Sequence, residues 1–99
     1  MSVGRATAEL DRVVHEPARL CVIALLYAVD EADFLYLLRE SGLTKGNLSS
    51  HLSRLEGSGY VAVTKGFVGK IARTVCRLTP QGRAAFVAYR QRLKVIAGA

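Results

Sequence analysis

Apolar positions along this chain recur at two spacings, and each predicts a different element. In "LTKGNLSSHLSRLEGSGY", residues 43–60, Leu48, Leu52 and Leu55 fall at i, i+4 and i+7, one stripe of a helix. Thr44 is placed to cap that helix, and Gly57 and Gly59 to end it. Upstream, "ATAELDRVV" (6–14) reads as a short helix with Leu10, Val13 and Val14 on one side. His15-Glu16-Pro17 interrupts it, and Pro17 suits the opening position of a second helix over 17–29. That helix is apolar on almost every side, which predicts a central, buried position. "VDEAD" reads as a solvated loop whose Asp33 caps a helix over 34–41, with Phe34, Leu37 and Leu38 inward. Gly42, in the turn Ser41-Gly42-Leu43, supplies the left-handed residue that helix ends commonly need.

The second spacing is alternation. "YVAVTKGFVGKIARTVCRL" (60–78) places β-branched and aromatic residues around a centre holding Gly66, Gly69 and Lys70, the pattern of a hairpin. Thr74, Cys76 and Leu78 then share one face, and Arg73, Val75 and Arg77 the other, which we assign to solvent. Thr79-Pro80 is a strong start for a last helix over 80–96. Its stripe of Phe86, Tyr89, Leu93 and Ile96 must pack on this chain's own core or on a partner's identical helix. The predicted class is α+β, mostly helical: a helix-turn-helix, a hairpin and a C-terminal helix in one domain spanning 1–99.

Composition narrows the function classes. Ninety-nine residues suit one domain. The longest apolar run, Leu20 to Val29, is too short to span a bilayer. No apolar stretch follows a basic start, so no signal peptide is expected and the cytoplasm is the expected compartment. Cys21 and Cys76 sit far apart among apolar neighbours and read as reduced, buried small hydrophobes. No metal or cofactor is expected. Two histidines and scattered serines assemble no nucleophile with a base, so no enzyme is expected either. Charge is the more informative property. Residues 1–43 hold four basic and seven acidic side chains, a net of −3; residues 44–99 hold ten basic and one acidic, a net of +9. The second part should attract a polyanion.

The helix at 44–58 carries an unusual outer face. Gly46, Ser49, Ser50, Ser53 and Gly57 lie opposite the leucines, flanked by Asn47, His51 and Arg54. Short side chains let a helix sit deep in a groove. Asn can make paired hydrogen bonds to adenine, and Arg to guanine. Gly46 would weaken an ordinary helix by roughly 0.5–1 kcal/mol relative to alanine. It suits a close approach, either to a phosphate at the helix N-terminus beside Thr44 and Lys45 or to the preceding helix. Lys45, Lys65, Lys70, Arg73 and Arg77 are candidates to hold phosphates, with Asn47, Ser49, Ser50, Ser53 and Arg54 as base readers. His51 reads equally as a phosphate contact or a packing residue, and His15 as a turn residue. Tyr27, Tyr36, Tyr60 and Tyr89 are spread over separate elements, which suits packing rather than a stacking platform.

"LTKGNLSSHLSRLEGSGYV", the "KGFVG" segment with "RT" after it, and "LTPQGRAAFVAY" together resemble the winged helix-turn-helix domains of bacterial and archaeal transcriptional regulators, nearest a small MarR/ArsR-like group. The resemblance covers His15 to Leu93. It implies that 44–58 is a recognition helix and Lys65 to Arg73 a wing. It also implies a homodimer joined through terminal helices, which brings Leu10, Phe86, Tyr89, Leu93 and Ile96 forward as interface residues. MarR-like relatives often respond to a small-molecule effector, for which the sequence offers no pocket residues. One departure is Ala72, where members often carry proline; its absence predicts a more mobile wing tip. The resulting expectation is a sequence-specific, double-stranded DNA-binding regulator, a dimeric repressor. The alternative is a winged helix kept as a protein-interaction module without DNA contact.

Overall fold

Ser2, Glu16, Asp33, Thr44 and Thr79 each turn a side-chain oxygen onto a free backbone amide at the start of a helix. In the computed structural model, which describes residues 1–98, these caps open five helices. They are α1 (Val3–Ala8), α2 (Pro17–Val29), α3 (Phe34–Ser41), α4 (Lys45–Gly57) and α5 (Pro80–Ala97). Three antiparallel strands, β1 (Glu31–Asp33), β2 (Val61–Val68) and β3 (Ile71–Leu78), form one sheet in the order β1-β3-β2. The expected α+β, mainly helical architecture is therefore present, with α3 and α4 as the helix-turn-helix and β2–β3 as the wing. Gly42 takes the left-handed conformation that the α3–α4 turn requires, with φ of 70°.

One core joins these elements. Val22, Ile23 and Leu26 of α2 meet Leu37 of α3, Leu48, Leu52 and Leu55 of α4, Val61 and Cys76 of the sheet, and Phe86 of α5. Burial pushes the Cys76 thiol up to about 11, helped by the carboxylates of Glu56 and Asp33, so it stays protonated. Cys21 is half-buried and also unpaired.

Four expectations need correction. The first helix is not 6–14 but Val3–Ala8. The Asp11 carboxylate accepts from the amides of Val13 (2.8 Å) and Val14 (3.2 Å), a side-chain turn that competes with helix. Leu10, Val13 and Val14 still reach the core, but from that turn. "VDEAD" is not all loop: Glu31, Ala32 and Asp33 pair with Arg77, Cys76 and Val75 as an edge strand. Helix α2 is central but not enclosed, since Ala24, Ala28 and Val29 face solvent. The α5 stripe packs on its own chain. Phe86 is 9% exposed and Tyr89 3% exposed. Phe86 packs against Tyr27 with the rings tilted at 52° and their centroids 4.9 Å apart, and the Tyr89 hydroxyl lies 2.8 Å from His15 Nδ1. Leu10, Leu93 and Ile96 are half-buried.

Helix α5, the wing base and the end of α4 are joined at one point. Thr79 Oγ1 donates to the Gly59 carbonyl (2.6 Å), and the Thr79 amide donates to the Tyr60 carbonyl (3.0 Å). Gly82 lets the first turn of α5 lie directly on that strand: a Cβ there would stand 2.2 Å from the Tyr60 carbonyl oxygen. The Tyr60 hydroxyl donates to Asp11, which ties the wing base to the α1–α2 connection. That hydrogen bond, with burial and the Asp11 charge, pushes the phenol up to about 12.

Two outcomes follow from this junction. Gly82→Ala should destabilise the domain by about 1–3 kcal/mol, because the obstacle is backbone that cannot swing aside; thermal or urea unfolding measures it. The raised Tyr60 value contributes stability that is complete below the ordinary phenol range and is lost as pH rises through about 12. The melting temperature should thus fall between roughly pH 10 and 12. Tyr60→Phe should make that decline shallower, and an unchanged slope would refute the link.

Candidate nucleic-acid interface

The Thr44 hydroxyl accepts from the Asn47 amide (3.2 Å) and fixes where α4 begins. Leu48, Leu52 and Leu55 are buried and fix its rotation. Thr44, Lys45, Gly46, Asn47, Ser49, Ser50, Ser53 and Arg54 are all exposed. A Cβ at Gly46 would meet nothing within 4 Å. Close packing on α3 is therefore not what the glycine serves, and its backbone lies open to solvent.

His51 separates from this group. Its Nδ1 lies 3.5 Å from Glu16 Oε2 and 3.4 Å from Arg19 Nη1, half-buried against the start of α2. Burial pushes the Glu16 carboxyl up, but the amides of Ala18 and Arg19, with the His51 and Arg19 charges, outweigh it and hold it below the usual range. His51 is thus a packing residue that pins α4 to α2. Glu16, which caps α2 and makes that pin, gave no signal in the sequence beyond its place before a proline.

The hairpin register sorts the wing cations. Val61 to Val68 pair in order with Leu78 to Ile71, so directly opposed residues share a face. Lys65, opposite Thr74, stands on the face turned toward α4. It borders a cleft of about 300 Å³ with Ser49, Ser53 and Glu56, floored by Phe34, Leu52 and Val63. Arg73, opposite Gly66, is on the other face and lies 3.8 Å from Asp33. A smaller cleft, of about 200 Å³, brings Lys45 and Arg73 together beside Leu35. Lys70 sits in the turn with Gly69, whose φ is 62°. Arg77 stands apart, four rungs down the ladder from Arg73 or about 13 Å, between Glu31 and Ala62. It borders the groove beside Pro80 and Arg83 instead. The ladder runs unbroken through Ala72, paired with Phe67, so the ribbon is regular without the proline.

Ion pairing sharpens the contrast. Among the described residues, Arg5, Arg19, Arg39, Arg73, Arg83 and Arg92 each have a carboxylate partner. Lys45, Arg54, Lys65 and Lys70 have none, as is true of Arg12, Arg77, Arg90 and Lys94 elsewhere, but only the first four are gathered around the bare face of α4. An exposed arc of unpaired cations around short polar side chains suits a polyanion with readable edges. Sequence reading missed Phe34 and Glu56 in the cleft and the exposed Phe67 on the wing, whose apolar run signalled only strand. Among the described residues no group of His, Cys, Asp and Glu could hold a metal, and no helix is long and apolar enough to cross a membrane.

Comparison with known proteins agrees with this geometry. Residues 18–97 match a family model described as a winged helix DNA-binding domain. An uncharacterized protein of Methanocaldococcus jannaschii is 35% identical over 78 residues, which covers 79% of this chain and 85% of that one. The structure of a transcriptional regulator homologue from Pyrococcus horikoshii OT3 superposes with a TM-score of 0.89 at 27% identity, over 95% of both chains. The PcaV transcriptional regulator of Streptomyces coelicolor, solved with its natural ligand, shares the fold at a TM-score of 0.75 and 20% identity, over 92% of this chain and 63% of that one.

Proposed function

Because this chain belongs to the winged helix DNA-binding domain family, we propose that it is a dimeric, cytoplasmic transcriptional regulator that binds double-stranded DNA sequence-specifically, acting as a repressor. The observation that carries the reading is the exposed α4 face of Gly46, Asn47, Ser49, Ser50, Ser53 and Arg54, flanked by Lys45, Lys65 and Lys70, which have no carboxylate partner among the described residues. In this reading α4 enters the major groove and its short polar side chains meet base edges. Lys45, Lys65, Lys70 and Arg73 hold phosphates on either side. Arg77, at the base of the sheet, lies outside that arc. A small-molecule effector is part of the same proposal, and the PcaV structure with its natural ligand supports it by analogy of fold.

The dimer rests on the terminal helices. Ala6 of α1 is fully buried and Glu9 reaches Arg92 of α5 at 3.6 Å, so the two helices form one unit. With Phe86 and Tyr89 committed to the subunit core, the outer side of α5 presents Ala84, Val87, Ala88, Gln91 and Val95. That side carries one charge, Lys94, which is little for a helix facing water and suits a second copy packed on it, while Leu10 and Leu93 pack against this chain's own core. A two-fold would set two α4 helices about 34 Å apart, in successive major grooves.

Selection of duplexes from a random pool tests function: an enriched palindrome is expected, and a pool that stays random would sink the proposal. Lys70→Ala or Arg73→Ala should weaken binding to all duplexes and reduce the salt slope by about one. Arg77→Ala should leave that slope near the wild-type value. Sedimentation at micromolar concentration should give about twice the 10.7 kDa chain mass, and Val87→Glu should return it to the single-chain mass. A wild-type species of 10.7 kDa would overturn the dimer.

A further inference from the structure

The tip of the wing carries too much apolar surface for a ribbon that only touches phosphates. Phe67 is 76% exposed, Ile71 74% and Val68 58%. These three side chains occupy the last two rungs of the hairpin, next to the turn at Gly69 and Lys70. Phe67 shares its face with Lys65, the side turned toward α4, while Val68 and Ile71 point to the opposite face. No element among the described residues covers either side of the tip, since every residue from Thr64 to Arg73 is exposed. Lys65 and Lys70 bracket Phe67, and neither has a carboxylate partner among the described residues. The tip therefore joins an apolar wedge to free positive charge, in continuity with the cationic arc around α4.

We propose that Phe67, backed by Ile71 and Val68, is a wedge that enters the DNA minor groove beside the major groove occupied by α4 and partly unstacks a base step there. This rests on the reading of α4 as the recognition helix. Reach is the first test. The ribbon leaves its base at Val61, adjoining the C-terminus of α4, and Phe67 lies six residues on, about 20 Å away. The neighbouring minor groove lies about half a helical turn, roughly 17 Å, from the major-groove centre. Width is the second. The two small residues flanking Phe67 along the ladder, Gly66 and the opposed Ala72, keep the ribbon slim where it must pass between the backbones. Chemistry is the third. Minor-groove proteins insert Phe, Leu or Ile between base steps while adjacent cations hold the phosphates, and flexible pyrimidine–purine steps yield most easily. The wedge would thus add preference for a deformable step at a position where no hydrogen bond reads a base.

The experiment uses the full chain and a duplex recovered by selection from a random pool, with 2-aminopurine placed in turn at each adenine flanking the half-sites. Wild-type protein should raise the fluorescence at one flanking step, the signature of unstacking. Phe67→Ala should abolish that rise and weaken binding about tenfold, while leaving the major-groove sequence preference in place. Because the side chain is exposed, the variant's melting temperature should match the wild type. A duplex bound tightly with no fluorescence rise at any flank would overturn the wedge and leave the recognition helix standing. A wild-type mass that falls on Phe67→Ala would also overturn it, showing the tip to be a protein contact. Failure to enrich any duplex would remove the underlying reading, and the wedge with it.

Discussion

Helix α4 can satisfy the core at only one rotation about its axis, and the interface depends on that rotation. Leu48, Leu52 and Leu55 are all buried, at about 2 kcal/mol apiece relative to exposure. Turning the helix by half a turn would bring Ser49, Ser53 and Arg54 inward, where unpaired polar groups and a charge are costly. The same three leucines that hold the helix therefore decide which residues look outward. Glu16 and His51 add a polar pin on one flank, so the helix is held from α2 as well as from the sheet.

The wing takes its direction from the junction at its base. The Tyr60 amide donates to the Leu55 carbonyl (3.0 Å), Thr79 bonds back to Gly59 and Tyr60, and Gly82 admits the first turn of α5 onto the same strand. The end of α4, both ends of the ribbon and the start of α5 thus meet within a few residues. β1 guards one edge, where Asp33 both caps α3 through the Tyr36 amide (2.8 Å) and faces Arg73. Beyond this joined base the ribbon is uncovered, with every residue from Thr64 to Arg73 exposed.

Much of this was legible in the sequence, where the physics is local. Thr44, Asp33 and Thr79 announce their helices because a short polar side chain before an apolar period has little else to do. The leucine stripe of α4 and the alternation of β2 and β3 are visible for the same reason. Three features were not legible. β1 is three residues long, and nothing periodic fits in three residues; its pairing with β3 exists only in the folded chain. Asp11 lies within an apolar pattern that continues through Val14, so its turn is hidden until its carboxylate finds two amides. The α5 stripe gave its inward face correctly but not its owner, because periodicity cannot tell this chain's core from a partner's. At the site, the separation of Arg77 from the other wing cations followed from the register, as did the facing of Lys65 toward α4.

The division between short and long side chains at the interface carries its own argument. Ser49, Ser50 and Ser53 have few rotamers to lose, whereas a lysine or arginine fixed in place gives up about 2 kcal/mol of conformational freedom. A face built from serines is already near its bound form, so contacts there are not spent on ordering the protein. Long cations occupy the perimeter, where a phosphate can be met from many directions and a mobile ammonium needs no single geometry. In the proposed reading, orientation on the duplex comes from the rim, and discrimination between sequences from the centre. A helix with the same leucines but Glu and Lys on its outer face would fold equally well and could not make that separation.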